Sequence, residues 1–279
     1  MNATARQRIE LGLGAAVTGA RPLGGGCVAD VHQVTLADGR AVVAKVGQGL
    51  GLEGWMLRYL CERTSLPVPA VLLCEDDLLV MEHVVCDGRG DAGIHAAELL
   101  AALHSIPGDS FGFERDTLIG SLPQPNPSSP DWIEFFRDHR LMHFGRLAVE
   151  RGRLDPAVLQ PLERMCARLE TWLVPAAMPS LIHGDVWGGN VLVHGGRVAA
   201  FIDPALYFAD AEIELAFTTL FSTFSQAFYR RYDELRPIAP GFFEERCTIY
   251  NLYPLLVHTL LFGGSYARSV EATVRRMME

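Results

Sequence analysis

The segment that most constrains the fold of this chain is Leu181–Pro204, LIHGDVWGGNVLVHGGRVAAFIDP. It places a carboxylate, an amide and a second carboxylate, those of Asp185, Asn190 and Asp203, at intervals of five and thirteen residues. The loop is followed by a short apolar run, a turn and a second apolar run, and this order predicts a β-hairpin directly before Asp203. The alternative interpretation is a surface hairpin whose polar residues are ordinary turn residues.

These three side chains have the chemistry that phosphoryl transfer requires. A carboxylate must orient and deprotonate the acceptor hydroxyl, and an amide and another carboxylate must hold Mg²⁺ against the nucleotide phosphates. The spacing matches the catalytic core of protein-kinase-like phosphotransferases. It predicts Asp185 as the catalytic base, Asn190 and Asp203 as metal ligands, and ATP and Mg²⁺ as requirements. His183 is expected to brace the loop through hydrogen bonds rather than to transfer protons.

Length and composition exclude several other classes of protein. The chain has 279 residues, 49% hydrophobic and 20% charged, which is ordinary for a globular enzyme with one or two sizeable cores. A net charge of −9 without a basic stripe argues against nucleic acid or an anionic membrane as a partner. No apolar run is long enough for a membrane span, and the N-terminal one is too short for a signal peptide. The six cysteines form no CxxC pair, which favours reduced thiols in a cytoplasmic protein.

Residues 1–86 are predicted to form a nucleotide-binding lobe made of a small antiparallel sheet and one helix. Gly24, Gly25 and Gly26, followed by Cys27, occupy a turn between two predicted strands, where the backbone can approach a triphosphate closely. A glycine turn alone is a weak signal, because any hairpin can contain one.

Lys45 strengthens this interpretation because it lies late on the next predicted strand, where kinase folds place a lysine that pairs with the α- and β-phosphates. The alternative is a solvated strand end. Glu53 lies at the start of the helix predicted at 52–63 and is the natural partner of Lys45, although helix N-termini favour acidic residues in any case. The segment Met81, Glu82 and His83 falls where a kinase hinge binds adenine through backbone groups.

Residues 87–279 are predicted to form a mainly helical catalytic and acceptor-binding lobe. Helices are expected at 91–106, 131–152 and 155–173, with His104 as a packing or capping residue. The proline-rich stretch 121–130 is expected to be an irregular surface loop. An acidic helix start follows Asp203 within seven residues. This leaves no room for a peptide-holding activation segment, so the acceptor is expected to be a small molecule or a small group on a larger one.

Further motifs narrow the choice of family. They are HGDVWGGN with Trp187, IDPALYFADAEIELAF after Asp203, FGF at 111–113, IG at 119–120, the pair Gln124 and Asn126, DWIEFF at 131–136, and YNLYPLLVHTLLFGGSY at 250–266. In this combination the chain resembles the fructosamine kinase / ketosamine-3-kinase family from about residue 10 to 270.

The resemblance implies an α+β, two-lobed, protein-kinase-like fold. It also implies transfer of the ATP γ-phosphate to the 3-hydroxyl of a ketosamine, after which the adduct falls apart and returns the amine, a deglycation repair. By position, Gly24–Cys27 is the phosphate loop, Lys45 and Glu53 the phosphate clamp, and Trp187 the tryptophan beside the sugar. His258 stands where the family has a histidine that lines the acceptor pocket. Packing roles for Trp187 and His258 are the structural alternatives.

The chain also departs from the family pattern. Val186 and Gly188 stand where leucine and often serine occur, and Ala209 and Ala211 stand where glycine and arginine are frequent. These departures concern the acceptor side more than the transfer chemistry. Another small-molecule kinase of the aminoglycoside or choline type is the alternative function, and a catalytically silent binding module is a third.

Cys27 raises a separate hypothesis. A thiol near phosphate-binding amides is expected to have thiolate character. Its oxidation could block ATP binding or link two chains, so the protein is expected to be a monomer or a redox-linked dimer. The alternative is an inert small residue in a tight loop.

Overall fold

The computed structural model describes residues 1–24, 29–176 and 178–278. As predicted, an N-terminal antiparallel sheet is followed by a mainly helical remainder. The described strands are β1 Val17–Pro22, β2 Asp30–Leu36, β3 Ala41–Val46, β4 Val71–Cys74, β5 Leu78–Glu82, β6 Thr117–Ile119, β7 Leu122–Gln124, β8 Ser180–Ile182, β9 Val191–His194, β10 Arg197–Phe201 and β11 Tyr207–Ala209.

The α-helices are α1 Ala3–Leu13, α2 Leu50–Arg63, α3 Gly93–His104, α4 Trp132–Phe135, α5 His143–Glu150, α6 Leu159–Cys166, α7 Glu212–Leu220, α8 Gln226–Leu235, α9 Cys247–Tyr250, α10 Leu252–Phe262 and α11 Ser265–Met278. Phe136–Met142 and Phe242–Arg246 are π-helical, and Pro156–Val158 and Leu169–Thr171 are 3₁₀ turns. Within the described ranges, no helix has the length and apolar character needed to cross a bilayer.

The N-terminal sheet has the strand order β1-β2-β3-β5-β4, which puts β3 at its centre. In the ladder Lys45 stands opposite Val31 on one side and Leu79 on the other. Apolar residues on one face of the sheet pack against Ile9 of α1, and α2 contacts β4 and β5. A central strand flanked on both sides is rigid, so the position of Lys45 is fixed by the sheet itself.

The prediction of a single helix beside this sheet is wrong, because α1 is a second one. Asn2 caps it by accepting a hydrogen bond from the Ala5 N–H at 2.8 Å, and Gly14 ends it with a φ of 68°. Only Ala5 and Ile9 of this helix are buried. An apolar stripe of two residues is too short for a helical period to stand out in the sequence.

The helical part is built around buried aromatic side chains. The helix predicted at 131–152 is present as α4, a π-helical segment and α5 without a break, and Trp132, Phe135 and Phe136 are buried in the core. The helix predicted at 155–173 is wrong in its length, because only α6 is α-helical and 3₁₀ turns flank it.

The proline-rich stretch 121–130 is not simply a surface loop, and that prediction is wrong. Leu122–Gln124 forms β7, which pairs with β6, and the side chains of Gln124 and Asn126 are buried. Gln124 Nε2 donates to the Ala205 carbonyl at 3.1 Å and to Thr117 Oγ1 at 2.8 Å, and Asn126 Nδ2 donates to the same Oγ1 at 2.8 Å. Their partners satisfy the amides, which is what allows polar side chains to be buried here.

The segment that links the N-terminal sheet to α3 is bound to the β9–β10 hairpin. The N–H groups of Asp87 and Gly88 both donate to the Val193 carbonyl at 3.0 Å, and the Gly196 N–H donates to the Arg89 carbonyl at 2.8 Å. The predicted lobe boundary at residue 86 falls in this segment and stays a prediction.

Candidate active site

Asp185 lies in a loop whose backbone conformation is set by glycine and by hydrogen bonds. Gly184 has a φ of 88°, and a Cβ placed there would lie 2.1 Å from the Ala205 carbonyl oxygen, so only glycine fits. Asn190 Nδ2 donates to Asp185 Oδ2 at 2.7 Å and to the Asp185 carbonyl at 3.0 Å, and the Asn190 N–H donates to the Trp187 carbonyl at 2.8 Å. The loop therefore holds its carboxylate in one orientation.

Burial raises the pKa of the Asp185 carboxyl to about 8. The negative charge of Asp203 also raises it, and the hydrogen bond from Asn190 opposes the shift. The two carboxylates therefore interact across the site, as they must if both face the same small volume.

Lys45 lies between two carboxylates. Its Nζ is 2.6 Å from Glu53 Oε1 and also contacts Asp203 Oδ1. Burial alone lowers the pKa of the Lys45 ammonium, but Glu53 and Asp203 outweigh it, and the net shift is upward. Asp203 has a φ of 56°, which is unusual for a residue with a side chain and is a form of strain that concentrates at functional sites. The structure thus brings Lys45, Glu53, Asp185, Asn190 and Asp203 together, and we call these five side chains the charged part of the cleft.

A buried glutamate that the sequence analysis did not single out supports the loop. Glu214 accepts hydrogen bonds from the backbone N–H groups of His183 at 3.1 Å and Gly184 at 2.5 Å, and from His104 Nε2 at 2.8 Å. Burial alone raises its pKa, but these donors reverse the shift and lower it. His104 Nδ1 is 2.7 Å from the Tyr232 hydroxyl, so this histidine is a packed, hydrogen-bonded residue as predicted.

Glu214 belongs to the acidic helix start that the sequence shows after Asp203, and its apolar neighbours Ile213 and Leu215 were the signal that it faces the core. His183 is also buried and its pKa is lowered by burial, while its Nδ1 accepts from the Asp185 N–H at 3.3 Å. This contact agrees with the expected bracing role.

The segment 209–212, where the sequence departs from the family pattern, packs into the protein by burial, an ion pair and hydrogen bonds. Ala209 and Ala211 are buried, while Glu212 forms a two-point ion pair with Arg246 at 2.6 and 2.8 Å. Asp210 accepts from the Glu212 N–H at 3.0 Å and from the Tyr250 hydroxyl at 2.8 Å. Burial raises the pKa of Asp210 to about 6, and the charge of Glu212 adds to the shift.

Aromatic side chains lie along the cleft beyond Asp185: Trp187, His258 and Phe262 line it, and Phe221 packs between Trp187 and His258. Ring centroids lie 5.9 Å apart for Trp187 and Phe221, 5.1 Å for Phe221 and His258, and 5.5 Å for His258 and Phe262. We call these four residues the aromatic row. The Trp187 ring covers Gly189 so closely that a Cβ there would lie 2.4 Å from it, so any other residue at this position would require the ring to move.

His258 is half-buried in this row, and its Nδ1 is 2.7 Å from the Pro254 carbonyl. Burial lowers its pKa, so the ring is neutral near pH 7. A neutral ring with Nδ1–H donating to a carbonyl keeps the lone pair on Nε2. That nitrogen can accept a hydrogen bond from a bound molecule.

The floor of the cleft rests on a buried arginine, which the sequence analysis also missed. Arg140 donates to the Pro125 carbonyl at 2.7 Å and to Asn126 Oδ1 at 2.6 Å, and its guanidinium lies 4.0 Å from the ring centre of Tyr207. Tyr207 lines the cleft together with Tyr253, whose hydroxyl donates to Gln124. Arg140 therefore connects the buried amides of the 122–126 segment to the cleft wall.

The remaining predicted residues lie elsewhere. Met81 and Glu82 end β5 and His83 follows it, and none of the three is among the described residues that line the cleft. Gly24, two residues after the end of β1, is exposed. Gly25, Gly26 and Cys27 lie outside the described residues. Ala29 and Val31, directly after that gap, do line the cleft beside Lys45.

Whether the site suits Mg²⁺ can be tested on its donor atoms. Within the described residues no cluster of three His, Cys, Asp or Glu side chains could hold a metal ion alone. The Asp203 carboxylate and the side-chain oxygen of Asn190 nevertheless both border the cleft. Mg²⁺ is commonly held by one or two carboxylates together with substrate phosphates. The two residues fit such an ion only with phosphate oxygens completing its shell.

Solved structures show how widely this fold occurs. A crystal structure of a candidate fructosamine-3-kinase from Thermobifida fusca superposes with a TM-score of 0.86 at 31% identity, covering 98% of both chains. A streptomycin–ATP complex of the aminoglycoside phosphotransferase APH(2")-IIa has a TM-score of 0.66 at 14% identity, covering 100% of this chain and 96% of that one, and shares the fold alone.

Sequence comparisons are more specific. A "Probable ketoamine kinase" of Synechocystis sp. is 36% identical over 240 residues, 83% of this chain and 77% of that protein. The chloroplastic protein-ribulosamine 3-kinase of Oryza sativa subsp. japonica is 32% identical over 273 residues, 92% of this chain and 78% of that protein. The fructosamine kinase family model matches residues 1–279. The chain belongs to the fructosamine kinase family.

Proposed function

We propose that this protein is an ATP-dependent ketosamine kinase that phosphorylates the sugar 3-hydroxyl of fructosamine or ribulosamine adducts. The observation that carries the proposal is one cleft in which the charged part lies next to Trp187 and His258. One region supplies what phosphoryl transfer needs, and the other presents a flat ring and a lone pair to a sugar. The names of the relatives, ketoamine kinase and protein-ribulosamine 3-kinase, give the substrate class.

In the proposed reaction Asp185 accepts the proton of the sugar hydroxyl. The hydroxyl oxygen forms a bond to the γ-phosphorus while the bond between that phosphorus and the β,γ-bridging oxygen breaks, and ADP leaves. Lys45, oriented by Glu53, pairs with the phosphates. Mg²⁺ held by Asn190 and Asp203 would neutralise phosphate charge during the transfer. Because catalysis depends on positioning, the contact between Asn190 and Asp185 matters as much as either group alone.

The predicted lobes, residues 1–86 for the nucleotide and 87–279 for catalysis and the acceptor, are part of this proposal. Gly24–Cys27 as phosphate loop and Met81–His83 as adenine-binding backbone remain parts of this proposal.

A small acceptor is supported by the short path from Asp203 to α7, since β11 pairs with β8 and the helix begins at Glu212. Phosphorylation followed by loss of the sugar would return a free amine, and we propose this deglycation as the task. The five described cysteines are free thiols, which fits a cytoplasmic location.

Purified protein with ATP and Mg²⁺ should consume ATP when offered ribuloselysine or fructoselysine and not when offered choline or an aminoglycoside. The Asp185→Asn variant should abolish this turnover. Turnover with choline or an aminoglycoside alone would keep the phosphotransferase and discard the ketosamine acceptor.

A further inference from the structure

Beyond Trp187 and His258, the cleft continues along apolar side chains that the proposed transfer reaction does not use. Phe217, Val257, Leu261 and Phe262 line it on the side of α7 and α10. Opposite them the β6–β7 turn closes the wall, because Gly120 lies against the side chain of Leu261. This surface is continuous with the site of Asp185 and does not form a separate cavity.

The exposure of the aromatic side chains is uneven. Of the Phe, Trp and Tyr residues in the described part of the chain, Trp187, Phe243 and Phe262 are more than a third exposed, at 39%, 50% and 48%. Two of these three stand on the cleft, at the two ends of the aromatic row. Most aromatic side chains of the protein are packed into its core, so exposed rings concentrated at one cleft indicate a binding surface.

In the described part of the chain, the apolar surface around the aromatic row carries no charged side chain, in contrast to the charged part of the cleft. The carboxylates among the described lining residues are Glu53, Asp185, Asp203 and Glu214, and each has a partner at the charged part or beneath the loop. The aromatic row contributes no carboxylate, and its histidine is neutral near pH 7. A cationic or anionic group bound there would lose water without gaining an opposite charge.

From this surface we propose that the aromatic row and the adjoining Leu261 form a subsite for the substituent on the acceptor's amine, and that it selects apolar and above all aromatic substituents. The inference rests on the proposed function, because the amine is placed there by a sugar whose hydroxyl reaches Asp185. An aromatic group would stack against Phe262 and replace the water that now covers about half of its surface.

The test compares ribulosamines that share the sugar and differ in the amine, derived from benzylamine, methylamine and glycine. We expect the benzylamine adduct to have a kcat/KM about tenfold above that of the methylamine adduct, through KM, because apolar groups discriminate on this scale in an apolar pocket. The glycine adduct, with its carboxylate, should be the poorest.

Phe262→Ala should reduce the benzyl preference to about twofold, because the benzylamine adduct loses more of its kcat/KM than the methylamine adduct does. Phe243→Ala is the matched control, since Phe243 is equally exposed and does not line the cleft. Thermal unfolding checks that both variants fold. Equal kcat/KM across the panel, or a rise in the KM for ATP with every acceptor in Phe262→Ala, overturns the subsite and leaves the ketosamine kinase standing. Absence of turnover with all three adducts and with the fructosamines of the same three amines overturns both proposals.

Discussion

In the charged part of the cleft every titratable side chain has a partner within hydrogen-bond distance, whereas the aromatic row consists of rings that leave surface open to solvent. The charged part is held by hydrogen bonds and ion pairs, so its geometry is set before any ligand arrives. The aromatic row is held mainly by ring packing, with one hydrogen bond between His258 and the Pro254 carbonyl. The difference suggests that the first part determines the rate of transfer and the second determines which acceptor is bound.

The strongest way to break this division is Asp185→Asn. The amide cannot accept the hydroxyl proton, so kcat should fall about 1000-fold while the Kd for ATP changes little, since the Lys45–Glu53 pair is untouched. Steady-state kinetics and nucleotide titration measure the two quantities. Asp109→Asn, an exposed aspartate that does not line the cleft, is the matched control. Near-normal turnover would remove Asp185 from the role of base.

Lys45→Met tests whether the ion pairs of Lys45 with Glu53 and Asp203 are needed for the use of ATP. It removes the cation between Glu53 and Asp203 and leaves two carboxylates facing each other. We expect kcat/KM for ATP to fall about 100-fold, as for loss of one preorganised charge-stabilising donor, with the preference among amine substituents unchanged. Glu53→Gln keeps the cation and should have a smaller effect. A changed amine preference in Lys45→Met would contradict the division.

The smallest expected effect is on protein stability, and it concerns the buried carboxyl groups near the charged part. Asp210 and Glu214 are buried four residues apart, but Glu214 is paired with His104 and Asp210 accepts from neutral donors. Because the pKa of Asp210 is raised to about 6, the folded state keeps a proton that the unfolded state releases. Its contribution to stability is therefore present at low pH and is lost as the pH rises toward the folded pKa.

Asp210→Asn lacks this titration. Relative to wild type, its free energy of unfolding should increase by about 1 kcal/mol between pH 5 and pH 7. Urea titrations at several pH values measure the difference. Asp109→Asn should run parallel to wild type, and a parallel curve for Asp210→Asn would show that Asp210 stays ionised throughout.

The charged part could be predicted from sequence because the members of each of its two groups are close along the chain, although Lys45 and Asp203 are 158 residues apart. Asp185, Asn190 and Asp203 depend on one loop and one hairpin, and Lys45 and Glu53 sit on successive elements. Local spacing therefore fixes most of the geometry. The N-terminal strands and the later helices were predicted for the same reason, from local periodicity, and the two-lobed α+β fold followed from the resemblance to the family.

What could not be predicted depends on partners distant in sequence. Gln124 and Asn126 look like loop residues among prolines and are buried because Thr117, Ala205 and Arg140 satisfy them. Glu214 looks like part of an exposed acidic turn until the backbone of residues 183 and 184 and the ring of His104 surround it. Polar burial depends on hydrogen-bond partners that are distant in sequence, and the apolar neighbours Ile213 and Leu215 indicate only that Glu214 faces the core.

Lys45, buried between its two carboxylates, is also the only lysine in the chain, and every other cationic side chain is arginine. Sugars attach to lysine side chains through the neutral amine, and Lys45 is kept as the ammonium by a raised pKa. A protein whose proposed acceptors are glycated amines thus offers reducing sugars no accessible lysine of its own. For the same reason a label that reacts with neutral lysine amines should leave the only lysine of the folded chain unmodified.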